Sequence, residues 1–363
     1  MADRRPERLR ALADALQAAH LDGLLIGSIP NVRYLTGFTG SNALLFVTVR
    51  AEALLVTDFR YQTQVAEEVG DLARVSIEPQ SLWSGLWQLL PQLPHVKVAG
   101  FESAHLPHRD FARLLEQSER WQWRPSVDLV ETLRERKDGD EVAAIRDAAA
   151  IAVAALERTL GEVRAGMTEL AVAGILERHL REAGSEAYPF ETIVASGPRS
   201  ALPHARASTR AIALGDFLLI DFGAQAAGYC ADVTRTVVVG TATDEQRAIH
   251  DIVRGANAEA VAGVRAGMRG RDADALARGY IEQRGWGPAF GHSLGHGLGL
   301  EVHEAPRLSR AAESALPVGA VVTIEPGIYR PGWGGVRIED DVHLGAEGTD
   351  LLTRFPRDLL ELD

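Results

Sequence analysis

Cysteine is nearly missing from this chain: Cys230 stands alone among 363 residues. With no second thiol there is no intramolecular disulfide, which excludes the stapled scaffold of small secreted domains. The expected compartment is the cytoplasm. Lysine is almost as scarce, with only Lys97 and Lys137 among the 38 basic residues, and Lys137 sits in the charged run RERKDGDE. Schiff-base chemistry therefore has almost no candidate. An excess of positive charge is lacking too. Against 50 Asp plus Glu the formal net charge is -12, so there is no basic footprint for a polyanion and nucleic acid is not expected as a partner. No apolar run reaches the 18 or so residues that would cross a bilayer. The opening MADRRPERLRALADALQAAHL has neither the apolar core nor the small-residue cleavage site of a signal peptide, and no membrane partner is expected.

What is present is a chain with 46% hydrophobic residues, long enough for roughly two domains and able to bury roughly three quarters of its unfolded surface. Up to about residue 125 short apolar runs (GLLIG, ALLFVT, EALLVT) alternate with amphipathic stretches at Arg60 to Val69 and Pro107 to Glu116. Strands alternating with helices predict a small α/β domain. Near WRPSVDLVETLRERKDGDE the composition turns charged, and an Ala-rich run with helical periodicity follows from Glu141 to Val163. The boundary is placed there, giving domains 1–130 and 131–363.

The second domain contains a repeat. VRAGM at Val163–Met167 returns at Val264–Met268, each copy followed by a helix-like stretch, a Gly-containing break, a His-bearing loop and an apolar strand. The paired strands GDFLLIDFG and GAVVTIEPG carry Asp221 and Glu325, and the strands after them carry Asp232 and Glu339. A chance pentapeptide would not bring acids back in step with it, so a duplicated α+β domain is expected, with four acids around one pseudo-twofold centre.

A hairpin turning near residues 226 and 227 would set Asp221 nearly opposite Asp232, with Cβ atoms about 5 Å apart, and the same holds for Glu325 and Glu339. Bare carboxylates facing each other inside a sheet repel, and burying them is costly unless a cation intervenes. A metal pair is the simplest compensator; exposed strand ends that bind nothing are the alternative. His292, His296 and His303 fall within GHSLGHGLGLEVHEAP, among glycines that argue against a helix and for backbone held close to something. One imidazole would serve as a ligand, and the others as proton donors or oxyanion stabilisers. Carboxylates with a single imidazole suit paired Mn, Co, Fe or Zn, which generate hydroxide near neutral pH. Hydrolysis follows.

Two other motifs compete. GHSLG matches G-x-S-x-G, with Ser293 as a serine-hydrolase nucleophile and Asp340 and His343 downstream, but Gly-broken segments flank it where a strand and a helix are needed. His303-Glu304 begins like a zinc site, but Arg307 stands where H-E-x-x-H needs its second His.

The succession LPH, LLIDFGAQAAGYCADVTRT, GHSLGHGLGLEVHEAP, TIEPGIY and GGVRIEDDV resembles the pita-bread-fold metallopeptidases (family M24), above all their proline-specific branch of prolidases and aminopeptidases P. NVRYLTGFTGSNALLFV is similar to the creatinase-like N-terminal domain that these enzymes carry. The resemblance implies that Asp221, Asp232, His296, Glu325 and Glu339 ligate two divalent metals, Mn²⁺ foremost with Co²⁺ or Zn²⁺ as alternatives, Asp232 and Glu339 bridging. Glu325 would also be the base, His292 and His303 would polarise or hydrogen-bond the substrate amide, and His204 would line the proline pocket. Arg337 would hold acids behind the ligands, with Asp340 behind them at most; Asp341 and His343 share the face of Glu339. Cys230 is read as a small core residue. The implied reaction is hydrolysis of an Xaa-Pro bond in dipeptides or short peptides by a homodimer. A cation recognising a free carboxylate would mark a dipeptidase; Arg33, in the loop of NVRYLTGF, Arg199 and Arg206 are the candidates. The complete ligand set argues against a peptide-binding pseudoenzyme and a metal-free, creatinase-like use of the fold.

Overall fold

A computed structural model gives the fold of residues 3–363 as two compact units, one ending at Arg134 and the other spanning Glu135–Asp363. In the first, helices α1 (Arg5–Ala18), α2 (Ile29–Thr36), α3 (Gln62–Glu68), α4 (Leu82–Leu89), α5 (His108–Leu115) and α6 (Leu129–Arg134) accompany six strands. These are β1 (Gly23–Ile26), β2 (Ala43–Thr48), β3 (Ala53–Asp58), β4 (Arg74–Glu78), β5 (Val98–Glu102) and β6 (Gln122–Ser126), in the sheet order β4-β3-β2-β1-β5-β6. The three apolar runs GLLI, ALLFVT and ALLVT form its centre, buried along almost their whole length. The α/β expectation holds. One detail does not: Arg33 lies on helix α2, not in a loop, because Pro30 opens that helix and Gly37, at φ 77°, closes it in the left-handed conformation.

The second unit realises the repeat. Helices α7 (Gly139–Glu162) and α8 (Glu169–Glu182) precede β7 (Ile193–Ser196), β8 (Phe217–Ala226) and β9 (Tyr229–Val239); helices α9 (Asp244–Gly263) and α10 (Gly270–Glu282) precede the strands of the second half. Those strands are β10 (Gly295–Gly297), β11 (Glu304–Leu308), β12 (Val321–Ile324), β13 (Gly327–Arg330), β14 (Gly334–Arg337), β15 (Asp340–Leu344) and β16 (Thr349–Leu351), and β17 (Glu361–Leu362) returns to β9. Both long helices begin with a capping box, on Asp138 and on Thr243. Each VRAGM makes the same turn: Gly166 and Gly267 sit at φ 90° and 84°, and each glycine N–H donates to a carbonyl across the turn, that of Ile212 or Leu316. The pentapeptide recurs because the turn recurs. Each half buries its own apolar cluster, Leu156, Leu176, Ile220 and Val237 in the first and Ile249, Val253, Val322 and Val342 in the second.

Candidate metal centre

Strands β8 and β9 form a hairpin closed by Ala227 and Gly228, both at positive φ (48° and 81°). This two-residue turn falls one residue later than the spacing suggested and shifts the register by two. Asp221 therefore faces Thr234, and Asp232 faces Gly223; the two acids are diagonal neighbours, not opposite ones. Across from Asp232 a Cβ on Gly223 would lie 2.4 Å from Pro189 Cγ, so glycine lets the Pro189-Phe190 segment close over the sheet. In the second half the pairing is interrupted at the acids. Ile324 pairs with Asp340 and Gly327 with Arg337, the same register on either side, so Glu325 and Glu339 stand opposite each other at the break between β12/β15 and β13/β14.

His296 lies on β10, wedged between β11 and β12. A Cβ on Gly295 would come 2.0 Å from the Thr323 carbonyl oxygen, and one on Gly297 2.0 Å from that of Ala305. The neighbouring strands are what the glycine-rich segment is held against. His296 Nδ1 is 3.0 Å from the Gly297 carbonyl; with its hydrogen donated there, the Nε2 lone pair faces the acids. Nε2 lies 3.5 Å from Glu325 Oε1 and 3.8 Å from Asp232 Oδ2. One ligand atom each of Asp232, His296 and Glu339 falls within 4.8 Å of the others.

Arg337, buried, donates to Asp221 Oδ2, to Thr234 Oγ1 (3.0 Å) and to the Tyr329 hydroxyl (2.8 Å). Thr234 Oγ1 in turn donates to Glu339 Oε2 at 2.6 Å. One guanidinium cannot balance four carboxylates. Burial, then the charge of Glu339, holds the carboxyls of Asp232 and Glu325 well above the usual range. Burial and the neighbouring Asp221 push Glu339 up to about 8. The Oδ1 atoms of Asp221 and Asp232 are buried with no hydrogen-bond partner, a costly state for a carboxylate. Divalent cations would relieve both faults, and the oxygen-rich set with one imidazole fits them.

These groups line a cavity of about 410 Å³ with Phe190, His204, Arg206, His292, His303 and Arg307. His204 and His303 are exposed at its wall, and the His303 ring stands edge-on to His296, centroids 4.4 Å apart. Burial, and then the Arg337 charge, lowers His292 to about 4. Both its nitrogens are engaged, Nδ1 at 2.8 Å from the Ser293 carbonyl and Nε2 at 2.9 Å from the Tyr329 hydroxyl. Asp340 is turned away, clamped between Arg235 (2.7 Å) and Arg357 (2.6 Å). Asp341 accepts from the Asp232 backbone N–H. Ser293 sits in an exposed loop that continues into strand β10 rather than a helix, so the nucleophile elbow is not formed. Cys230 is buried as expected, its thiol raised to about 12 by burial.

Among the arginines, Arg199 is taken by Glu169 at 3.0 Å and Arg206 pairs with Glu191 at 3.2 Å on the surface. Arg307, noted in the sequence only for spoiling a zinc motif, lines the cavity without a carboxylate partner among the described residues. Sequence reading also missed Thr234 and Tyr329, whose only signal is a hydroxyl close to an acid on a strand. Lys137, in its charged run, is buried against Glu304.

The model of metallopeptidase family M24 matches residues 143–346, and that of the creatinase/prolidase N-terminal domain matches residues 8–136. An Xaa-Pro dipeptidase of Pyrococcus horikoshii is 35% identical, covering 98% of this chain and 99% of its own. The structure of an Xaa-Pro dipeptidase from Bacillus anthracis superposes with a TM-score of 0.94 at 39% identity, over 99% of this chain and 100% of its own. That of an X-Pro aminopeptidase from Thermotoga maritima gives 0.90 at 37%, over 98% and 99%. Intact acids, a repeated α+β scaffold and these matches lead to one statement: the chain is a member of metallopeptidase family M24 that carries a creatinase/prolidase N-terminal domain.

Proposed function

We propose that this protein is an exopeptidase cleaving the bond between an N-terminal residue and proline, and that it acts foremost on dipeptides. The observation that carries the reading is that Asp221, Asp232, His296, Glu325 and Glu339 all line one cavity, with Asp232, His296 and Glu339 close enough to share an ion. These five would hold two divalent ions; the hard donor set favours Mn²⁺, with Co²⁺ and Zn²⁺ as competitors. Such ions, when bound, supply Lewis-acid polarisation of the scissile carbonyl and hydroxide near neutral pH. Glu325, which lines the cavity and is the most exposed of the four acids, would take the proton of the attacking water.

The other groups bind and orient. His303, with its ring at the cavity and no hydrogen-bond partner of its own among the described residues, donates to the substrate amide. His292 acts one step back, its Nε2 tied to Tyr329 and through it to Arg337 and Asp221. His204 and Phe190 flank the imino ring, whose tertiary amide has no N–H for a general peptidase to use. Arg307, at the cavity without a carboxylate partner among the described residues, is placed to meet the free carboxylate of a dipeptide, and that supports the dipeptidase over the aminopeptidase reading. A homodimer is carried over from the resemblance. A cytoplasmic setting accords with a lone, buried thiol.

The test is hydrolysis, with Mn²⁺ and with chelator, of an Xaa-Pro dipeptide and of the same peptide extended beyond proline. Metal-dependent cleavage of the dipeptide alone is expected. Equal cleavage of the extended peptide would make the enzyme an aminopeptidase P, and no cleavage of either by the metal-loaded protein would remove the reading.

A further inference from the structure

One of the two lysines is spent where a charge is least welcome. Lys137 Nζ lies 2.6 Å from Glu304 Oε1, with only 1% and 6% of the two side chains exposed. A buried ion pair is seldom more stable than apolar residues of the same volume, so adhesion alone does not account for it. What each partner is attached to is more telling. Lys137 precedes the Asp138 cap of α7, and its backbone N–H donates to the Gly319 carbonyl. Glu141, the other half of that cap, accepts from the Tyr229 hydroxyl beside the turn of the β8/β9 hairpin. On the other side, Glu304 opens β11 opposite Gly297, at the point where the register slips between His296 and Gly297. His303 precedes it, Arg307 follows three residues later, and both line the cavity. A Cβ on Gly299 would lie 2.4 Å from Glu304 Oε1, so the chain passes directly over the carboxylate.

We propose that Lys137 and Glu304 are positioning residues for substrate binding. Their ion pair fastens the start of β11 to the rigid cap of α7, and so fixes where His303 and Arg307 stand at the cavity. The metal ligands have separate supports: Arg337 for Asp221, Thr234 for Glu339, and for His296 the Thr323 hydroxyl of β12, which accepts its backbone N–H at 3.1 Å. Loosening the pair therefore displaces the substrate-facing groups and leaves the metal ligands in place. The inference rests on the Xaa-Pro reading of the site.

It is tested in the Mn²⁺-loaded full chain with Lys137→Met, Lys137→Arg and the double variant Lys137→Met/Glu304→Gln. The measurements are kcat and KM on an Xaa-Pro dipeptide, bound metal and melting temperature. In Lys137→Met and in the double variant KM should rise about tenfold or more, since small misplacements of binding groups are costly, with kcat and metal content close to wild type. Lys137→Arg, which keeps the charge, should return KM to near wild type. Lys137→Met strands a buried carboxylate; the double variant does not, so it carries the test if the single one fails to fold. Wild-type KM in the double variant, its failure to fold, or a loss of metal with kcat would overturn the proposal. An active wild type with unmoved variants fails this proposal alone, whereas an inactive wild type fails the functional reading and this with it.

Discussion

Glu325 stands opposite Glu339 and 3.5 Å from His296 Nε2, and it is the most exposed of the four acids. Replacing it with glutamine keeps the shape and removes the basicity. Glu325→Gln should fold as the wild type does by circular dichroism and lose about 10³ in kcat, within the span of a lost general base. A rate within about tenfold of wild type would withdraw that role. Ser293→Ala is the matching control. Ser293 reaches the cavity wall, but with no elbow around it it is no nucleophile, and the change should lower kcat by less than about tenfold, short of the loss of a general base. Loss of all activity there would restore a serine mechanism. Residue by residue, what could be read from the sequence was what is anomalous: an acid in an apolar strand needs a reason, and four in step with a repeat need the same one. Thr234 and Tyr329 escaped because a hydroxyl on a strand is ordinary; only their distances to Glu339, Arg337 and His292 make them part of the site.

At the scale of elements, hydrophobic runs and helical periodicity were enough to place strands β1 to β3 and helix α7, but not to set register. Register depends on which residues accept positive φ, and moving the β8/β9 turn to Ala227 and Gly228 turned an expected face-to-face acid pair into a diagonal one. The burial of Lys137 was hidden for a similar reason: it stands in a charged run, while its partner Glu304 is 167 residues away. The glycines of the His-bearing segment were legible as close approaches, though not what they approach. Gly297 gives the sharpest consequence. Its added methyl would fall 2.0 Å from the Ala305 carbonyl oxygen, a backbone atom that cannot swing aside. Gly297→Ala should push β10 from β11, cost about 3 kcal/mol or more of stability, and, if the adjoining His296 is the ligand proposed above, lower metal content. Thermal melts and metal analysis read both effects; a variant with wild-type melting and full metal would show that the two strands are not packed this tightly.

Over the whole molecule, the crowded acids make stability depend on pH and metal together. Without metal, Glu339 holds its proton up to about 8, and Asp232 and Glu325 are also raised well above their usual range; in the unfolded chain carboxyls release theirs near 4. Between those limits the native state carries more protons than the unfolded one, so these groups make stability fall as pH rises. His250, His292 and His296, each lowered to about 4 mainly by desolvation, act the other way: protonated only when unfolded, they make stability rise with pH up to the unfolded histidine value of about 6.5. The two contributions oppose each other below that value, and only the acids remain above it. From pH 6.5 to 8 the chelated protein should therefore melt at progressively lower temperature. Divalent cations bind the ionised carboxylates and stabilise the folded state by mass action, so Mn²⁺ should release protons on binding and hold the melting temperature level over the same interval. The gap between loaded and chelated protein should thus widen with pH. A chelated protein whose melting temperature stays flat or climbs between pH 6.5 and 8 would mean that the four acids do not crowd one another, and the argument for a metal pair at their centre would lose its electrostatic basis.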